Sequence, residues 1–205
     1  FQVPNEHIIF SSDPLQASRT EDAIIAFTWD HFVKQPGGTA QPEWLLRLPM
    51  TKAAVRAMDT IEAWVEQDPQ GAVREKLLSS SSGGGGKEGT SGGAVIDSWL
   101  VAGASKRGWT TWTLAAVAPD RVKFAVPVVL DVLNLVENMH HQWRAFGGWT
   151  WAFKDYYALN FTAEIDEPNT QLMMDIVDPY VYFDRLAGMP KICLLYTSDA
   201  ADERR

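Results

Sequence analysis

The sequence predicts an α/β protein, a mostly parallel sheet with flanking helices. Three observations carry that expectation. Two apolar runs, residues 94–102 and 122–130, are separated by a helical stretch over 106–118. Strand, helix and strand in that order predict parallel strands joined by a right-handed crossover. Upstream, residues 50–65 place apolar side chains at steps of three and four, the period of a helix. The composition, 46% hydrophobic and 21% charged over 205 residues, is enough to bury one core and lies outside the disordered range.

Each element follows from local pattern. Residues 2–10 read as an extended segment ending in Ile8-Ile9-Phe10. Residues 19–33 read as a helix, with Ile24, Ile25, Phe27, Phe32 and Val33 apolar. Thr20 suits its start, and Glu21 and Asp22 complement the positive end of its dipole. Pro36-Gly37-Gly38 stops it. In the next helix Met50, Ala53, Ala54, Ala57, Met58, Ile61, Trp64 and Val65 form the stripe expected to pack on the core, while Lys52, Arg56, Asp59 and Glu62 are expected to face away.

Residues 79–93, S-S-S-S-G-G-G-G-K-E-G-T-S-G-G, have little side chain to bury and much backbone freedom to lose, so they predict a flexible insertion. Gly86-Lys87 does not make a phosphate loop: Ser81 stands five before the glycine, Glu88 follows the lysine, and no strand leads in. A nucleotide-binding domain is disfavoured on that ground. In the second strand Pro127 cannot donate to a ladder, which predicts an edge or a bulge there. Residues 138–157 are dense in aromatics without clean periodicity and read as an excursion over the sheet or a pocket wall. Residues 170–177 predict a helix stopped before Pro179, and 191–195 begin a further apolar strand.

The formal net charge of -8 and the lack of a basic stripe argue against a nucleic-acid partner. No apolar run reaches the length of a membrane span. Lone Cys193 permits no internal disulfide. Asn160-Phe161-Thr162 is a glycosylation triplet. Nine tryptophans imply either aromatic-rich packing or an aromatic-lined pocket. No feature specifies an oligomeric state or a cofactor.

The chemistry concentrates at Val101 to Trp112, V-A-G-A-S-K-R-G-W-T-T-W. Ser105 falls where the first strand turns into the following helix. Such a corner exposes a serine Oγ at the C-terminal edge of a sheet and aims the next backbone N–H, here that of Lys106, at charge developing on a substrate oxygen. The Lys106 side chain is expected in solvent. Gly103 and Ala104 are small enough for the tight turn. The common elbow is G-x-S-x-G; here Arg107 takes the last place and Gly108 comes one residue late, a G-x-S-x-x-G form. Two readings stand side by side: a nucleophile, and a turn whose serine merely caps the helix.

That stretch resembles the signature of the PhoPQ-activated pathogenicity-related protein family. Further segments resemble the family in family order: Q-V-P-N from Gln2, E-D-A-I-I-A from Glu21, L-R-L-P-M-T-K-A-A-V-R-A-M-D from Leu46, P-V-V-L-D-V-L-N from Pro127, residues 144–160 and residues 175–186. The G-x-S-x-x-G form is similar to the elbow of glucuronoyl esterases as well. The resemblance implies an α/β-hydrolase fold, an ester or amide cleaved through Ser105, and a secreted or periplasmic setting. It casts residues 1–192 as a partial hydrolase domain, incomplete at both ends, with 193–205 as a non-native tail. It implies a small-molecule, sugar-ester or peptide substrate.

Within that frame Asp131, at the end of the second strand on the edge that carries Ser105, is the acid candidate, with a loop-ordering or helix-capping aspartate as the other reading. His140 and His141 lie in the excursion, whereas the fold's catalytic histidine follows the last strand. Consecutive side chains point apart, so the pair does not converge on a metal. His141, Arg144 and Trp149 are candidate pocket residues, and packing is the competing role. The resemblance leaves the general base and the usual acid beyond this chain, which predicts an inactive fragment. The rival from a different class is a secreted signalling or interaction protein that keeps a hydrolase scaffold without turnover.

Overall fold

The computed structural model describes residues 7–36, 41–67, 96–129 and 133–194. The Ser/Gly stretch 79–93, Asp131, and the chain beyond 194 lie outside the described residues. In chain order the elements are α1 (Glu21–Val33), α2 (Arg47–Glu66), β1 (Trp99–Ala104), α3 (Lys106–Val117), β2 (Val122–Val128), α4 (Leu135–Phe146), α5 (Lys154–Ala158), α6 (Pro168–Val177) and α7 (Phe183–Leu186). Short 3₁₀ turns at Pro42–Trp44, Trp151–Phe153, Phe161–Ala163 and Pro179–Tyr182 join them.

Helix and strand are therefore mixed, as the sequence predicts. β1 and β2 pair in parallel, with Gly103 opposite Pro127 and Ala104 opposite Val128. A third parallel segment continues the sheet beyond β2, with bridges from Ala125 to Lys191 and from Val128 to Leu194. The Ala125 N–H donates to the Pro190 carbonyl at 3.2 Å, and the Leu194 N–H donates to the Pro127 carbonyl at 3.0 Å. β2 is thus central among the described strands, and Pro127 sits inside it rather than at an edge. Its carbonyl faces the 190–194 segment, so the missing N–H costs one ladder bond on that side alone.

α1 is apolar nearly all round, with Ile24, Ile25, Ala26, Phe27, Trp29, Phe32 and Val33 buried, as a core helix should be. Trp29 lies against Trp109 of α3, Tyr156 of α5 and Phe161, with ring centroids 5.1–5.8 Å apart. With Trp112 also buried, three of the nine tryptophans pack in the core.

α2 is rotated relative to the stripe read from its sequence. Thr51, Met58 and Val65 are buried, while Ile61 and Trp64 are exposed. Two acids expected to face away turn instead toward the sheet. The Arg121 Nη1 donates to Asp59 Oδ1 at 2.8 Å, its Nη2 donates to Glu62 Oε2 at 2.8 Å, and the Trp99 indole N–H donates to Glu62 Oε1 at 2.7 Å. Polarity misleads here because these acids face inward with partners supplied. The 138–157 excursion also differs from its reading, since its first part is the regular helix α4, ended by Gly147 in the left-handed conformation.

Along β1 alternate residues face opposite sides. Gly103 faces α3, and Leu100, Ala102 and Ala104 are exposed on the other side. Ile192 and Leu194 are exposed too.

Candidate functional site

Ser105 links the last residue of β1 to the first of α3, and its backbone is unlike that of an ordinary helix cap. Its φ is 53° and its ψ is -121°, a region that favours glycine. A non-glycine residue held there costs about 1–3 kcal/mol and persists only where its surroundings over-determine it. The determinants are visible. The Ser105 N–H donates to the Val128 carbonyl of β2 at 2.9 Å, and the Ser105 carbonyl accepts from the Trp109 N–H at 3.1 Å. One peptide end is tied to the sheet and the other to the helix. The side chain makes no capping bond to the helix and no hydrogen bond to any described residue, and the serine is exposed. A serine retained for capping would accept a bond from an N–H of the first turn.

The small residue before it is required by contact. A Cβ on Gly103 would lie 2.5 Å from the Arg107 carbonyl oxygen, so only glycine lets the strand pass this close to the helix. Gly108, one place later than in the common motif, is buried on α3. The late glycine therefore falls on the inner face of the first turn.

Lys106 departs from expectation. Its side chain is only 13% exposed, with Nζ 2.8 Å from Asp22 Oδ2 and 3.3 Å from Glu21 Oε2. The acidic first turn of α1, read as a dipole complement, serves this lysine. Asp22 also accepts from the Tyr156 hydroxyl at 3.5 Å. Burial pushes the Tyr156 phenol far above its ordinary range, so it stays protonated and donates. On the other side Arg47 of α2 donates from Nη1 to the Lys106 carbonyl at 3.1 Å. Arg107 is half-exposed, with Nη1 4.0 Å from Glu21.

The remaining predicted residues are spread over the surface beyond β2. His141 and Arg144 are exposed on α4, and Trp149 follows that helix with its ring 5.1 Å from Trp143. His140 rather than His141 has an acidic partner, Asp166, at 2.7 Å. No hydrogen bond or ring contact among the described residues joins His141, Arg144 or Trp149 to Ser105. Asp131, the predicted acid, lies outside the described residues. A groove of about 480 Å³ runs between α2 and α3, lined by Thr51, Val55, Thr113, Val117 and Ile176 among others, and does not include Ser105. Among the described residues no three His, Cys, Asp or Glu are grouped to hold a metal ion, and no helix is long and apolar enough to cross a membrane.

Sequence reasoning missed one acid near this region. Asp178 is buried and accepts from the Leu135 N–H at 2.8 Å, the Tyr180 N–H at 2.9 Å and the Asn134 N–H at 3.3 Å. Burial raises its carboxyl pKa against those three bonds. It ties the end of α6 to the start of α4. Its only sequence signal is an aspartate before Pro179, which reads as the stop of a helix.

The profile described as PhoPQ-activated pathogenicity-related protein matches residues 1–85 and 86–201. The two matched pieces meet inside the Ser/Gly stretch, and the second runs past residue 193. Autocrine proliferation repressor protein A of Dictyostelium discoideum is 37% identical over 198 residues, covering 97% of this chain. The chain spans 34% of that relative's length. No solved structure matches the chain.

Proposed function

Because the chain belongs to the PhoPQ-activated pathogenicity-related protein family, we propose that it is the elbow-bearing part of a serine hydrolase with an α/β-hydrolase fold. The observation that carries this reading is Ser105 itself: exposed, uncapped, and held at positive φ between a parallel strand and a helix. Strain of that kind is kept where a side chain must be presented, and a turn serving connection alone would place glycine there.

In the proposed reaction Ser105 Oγ attacks the carbonyl carbon of an ester or amide. Its proton passes to a histidine contributed by the longer protein, beyond these residues. The carbonyl oxygen becomes an oxyanion, stabilised by the Lys106 N–H at the head of α3. The tetrahedral intermediate collapses, the leaving alcohol or amine takes the proton from the histidine, and an acyl-serine remains. Water, deprotonated by the same histidine, releases the acid and restores Ser105. Asp131 would orient the histidine. His141, Arg144 and Trp149 would contact a sugar-ester or peptide substrate, in a secreted or periplasmic setting. Residues 1–192 are proposed as part of one domain.

The test is hydrolysis of an activated ester by the longer protein. Ser105→Ala should lower kcat by about 10³-fold or more while the melting temperature stays within a few degrees. Turnover unchanged in Ser105→Ala would end the hydrolase reading.

The name of the Dictyostelium relative favours a second reading, a signalling protein on the same scaffold. The two separate in a proliferation assay. If Ser105→Ala keeps full repressing activity, the signal does not depend on hydrolysis.

A further inference from the structure

Beneath the elbow lies a buried cation for which the proposed reaction has no use. Arg47, the first residue of α2, is only 4% exposed. Among the described residues it forms no direct ion pair with a carboxylate; the Asp22 charge and the Tyr156 hydroxyl favour its charged form but do not offset its burial, and its Nε is buried without a hydrogen-bond partner. Burying a charge on such terms is costly, and an apolar side chain of similar volume would fill the same space more cheaply. What distinguishes an arginine is its planar fork, which can stack on an aromatic face and donate within its own plane. Arg47 does both. Its guanidinium lies 4.2 Å over the Trp109 ring, and Nη1 donates to the Lys106 carbonyl at 3.1 Å.

Both contacts fall on the first turn of α3. Lys106 is thereby held from two sides, its carbonyl by Arg47 of α2 and its ammonium by Asp22 of α1, which in turn accepts from Tyr156 of α5. Two elements hold the residue after Ser105 directly and α5 backs one of them, at a point where a strained backbone needs outside restraint. Trp109, the floor under the guanidinium, is itself fixed by its indole N–H donating to the Val177 carbonyl at 2.7 Å.

We infer that Arg47 is a positioning residue. By holding the Lys106 carbonyl and stacking on Trp109, it locks the first turn of α3 so that Ser105 keeps its strained presentation and the Lys106 N–H keeps its aim. The inference rests on the hydrolase reading for its catalytic consequence and on the elbow geometry alone for its structural one.

Two measurements on the longer protein separate these. The first is the rate of Ser105 modification by a fluorophosphonate, resolved into the maximal rate and the half-saturating concentration. The second is hydrogen–deuterium exchange over residues 103–112. Arg47→Met should lower the maximal rate at least tenfold, leave half-saturation within twofold, and speed exchange in the first turn of α3. Arg47→Lys, which keeps the charge without the fork, should recover only part of the rate. Met58→Ala, a core change on the same helix, is the control for lost stability. If Met58→Ala slows modification as much as Arg47→Met at a comparable loss of melting temperature, Arg47 is merely structural and the inference fails. Should Ser105 of the unaltered protein not react at all, the hydrolase reading fails, and exchange alone then decides. Faster exchange confined to the first turn of α3 in Arg47→Met supports the lock, and exchange no faster than in Met58→Ala overturns it.

Discussion

At Ser105 and Gly103 the constraint on the chain is local. A strand that turns straight into a helix needs a residue without a Cβ where the backbones touch, and a non-glycine residue at the sharpest point of the turn needs outside restraint. The predicted consequence is steep at Gly103. Gly103→Ala drives a methyl to 2.5 Å from the Arg107 carbonyl, and part of the clashing surface is backbone that has little room to move. Overpacking of this kind costs about 1–3 kcal/mol, which urea unfolding of Gly103→Ala should show together with slower Ser105 modification. Unchanged stability would mean that the elbow relaxes freely. The Lys106 side chain was not readable, because its partners stand 84 or more positions away in sequence, on α1. Arg47 and Tyr156 were missed for the same reason. Each looks like an ordinary helix residue until the chain brings it under the elbow.

The helices show where periodicity suffices and where it misleads. α1, α3 and α6 lie close to where their apolar spacing puts them, whereas α2 is turned by its inward acids. Asp59 and Glu62 clamp α2 to the start of both strands through Arg121 and Trp99. The Arg121 guanidinium holds the Asp59 carboxyl below its ordinary range, and the Trp99 indole N–H does the same for Glu62, aided by Arg121. A carboxyl with a lowered native pKa stabilises the fold above its unfolded pKa and loses that contribution as pH falls through the native value. The clamp should therefore be whole at neutral pH and weaken progressively below about pH 4. Asp59→Asn/Glu62→Gln should lower the melting temperature at pH 7 and flatten its decline on acidification; an equally steep decline would remove the clamp from the account. Asp178 shows the opposite shift, and its raised pKa makes its burial more costly as pH rises through the native value. Its three backbone partners make Asp178→Ala destabilising by at least about 2 kcal/mol, since buried N–H groups are left unpaired. Chemical unfolding measures this directly. α4 escaped the sequence reading because Trp143 and Phe146 stand exposed on it, which blurs the period that a buried stripe would give.

At the scale of the molecule, among the described residues, helices cover one face of the parallel sheet, while Leu100, Ile192 and Leu194 are exposed on the other. Parallel sheets are ordinarily covered on both faces, and this chain spans 34% of the length of its Dictyostelium relative. The bare face predicts that the longer polypeptide covers it. Leu100→Asp should lower the melting temperature of the longer protein by several degrees and leave that of the 205-residue chain nearly unchanged. Equal effects in both would mean that nothing packs there. Family membership was legible in segments spread from Gln2 to residue 186, and the mixed helix–strand fold in the apolar runs on either side of residues 106–118. Partners for the proposed nucleophile would be assembled by the whole fold, and Asp131, the acid read from the sequence, lies outside the described residues. The central claim is that Ser105 is a nucleophile. Peptide mapping of the longer protein after fluorophosphonate treatment tests it most directly. The account predicts one adduct, on the peptide carrying Ser105, absent from Ser105→Ala. An adduct on another serine, or none on folded protein, would contradict it.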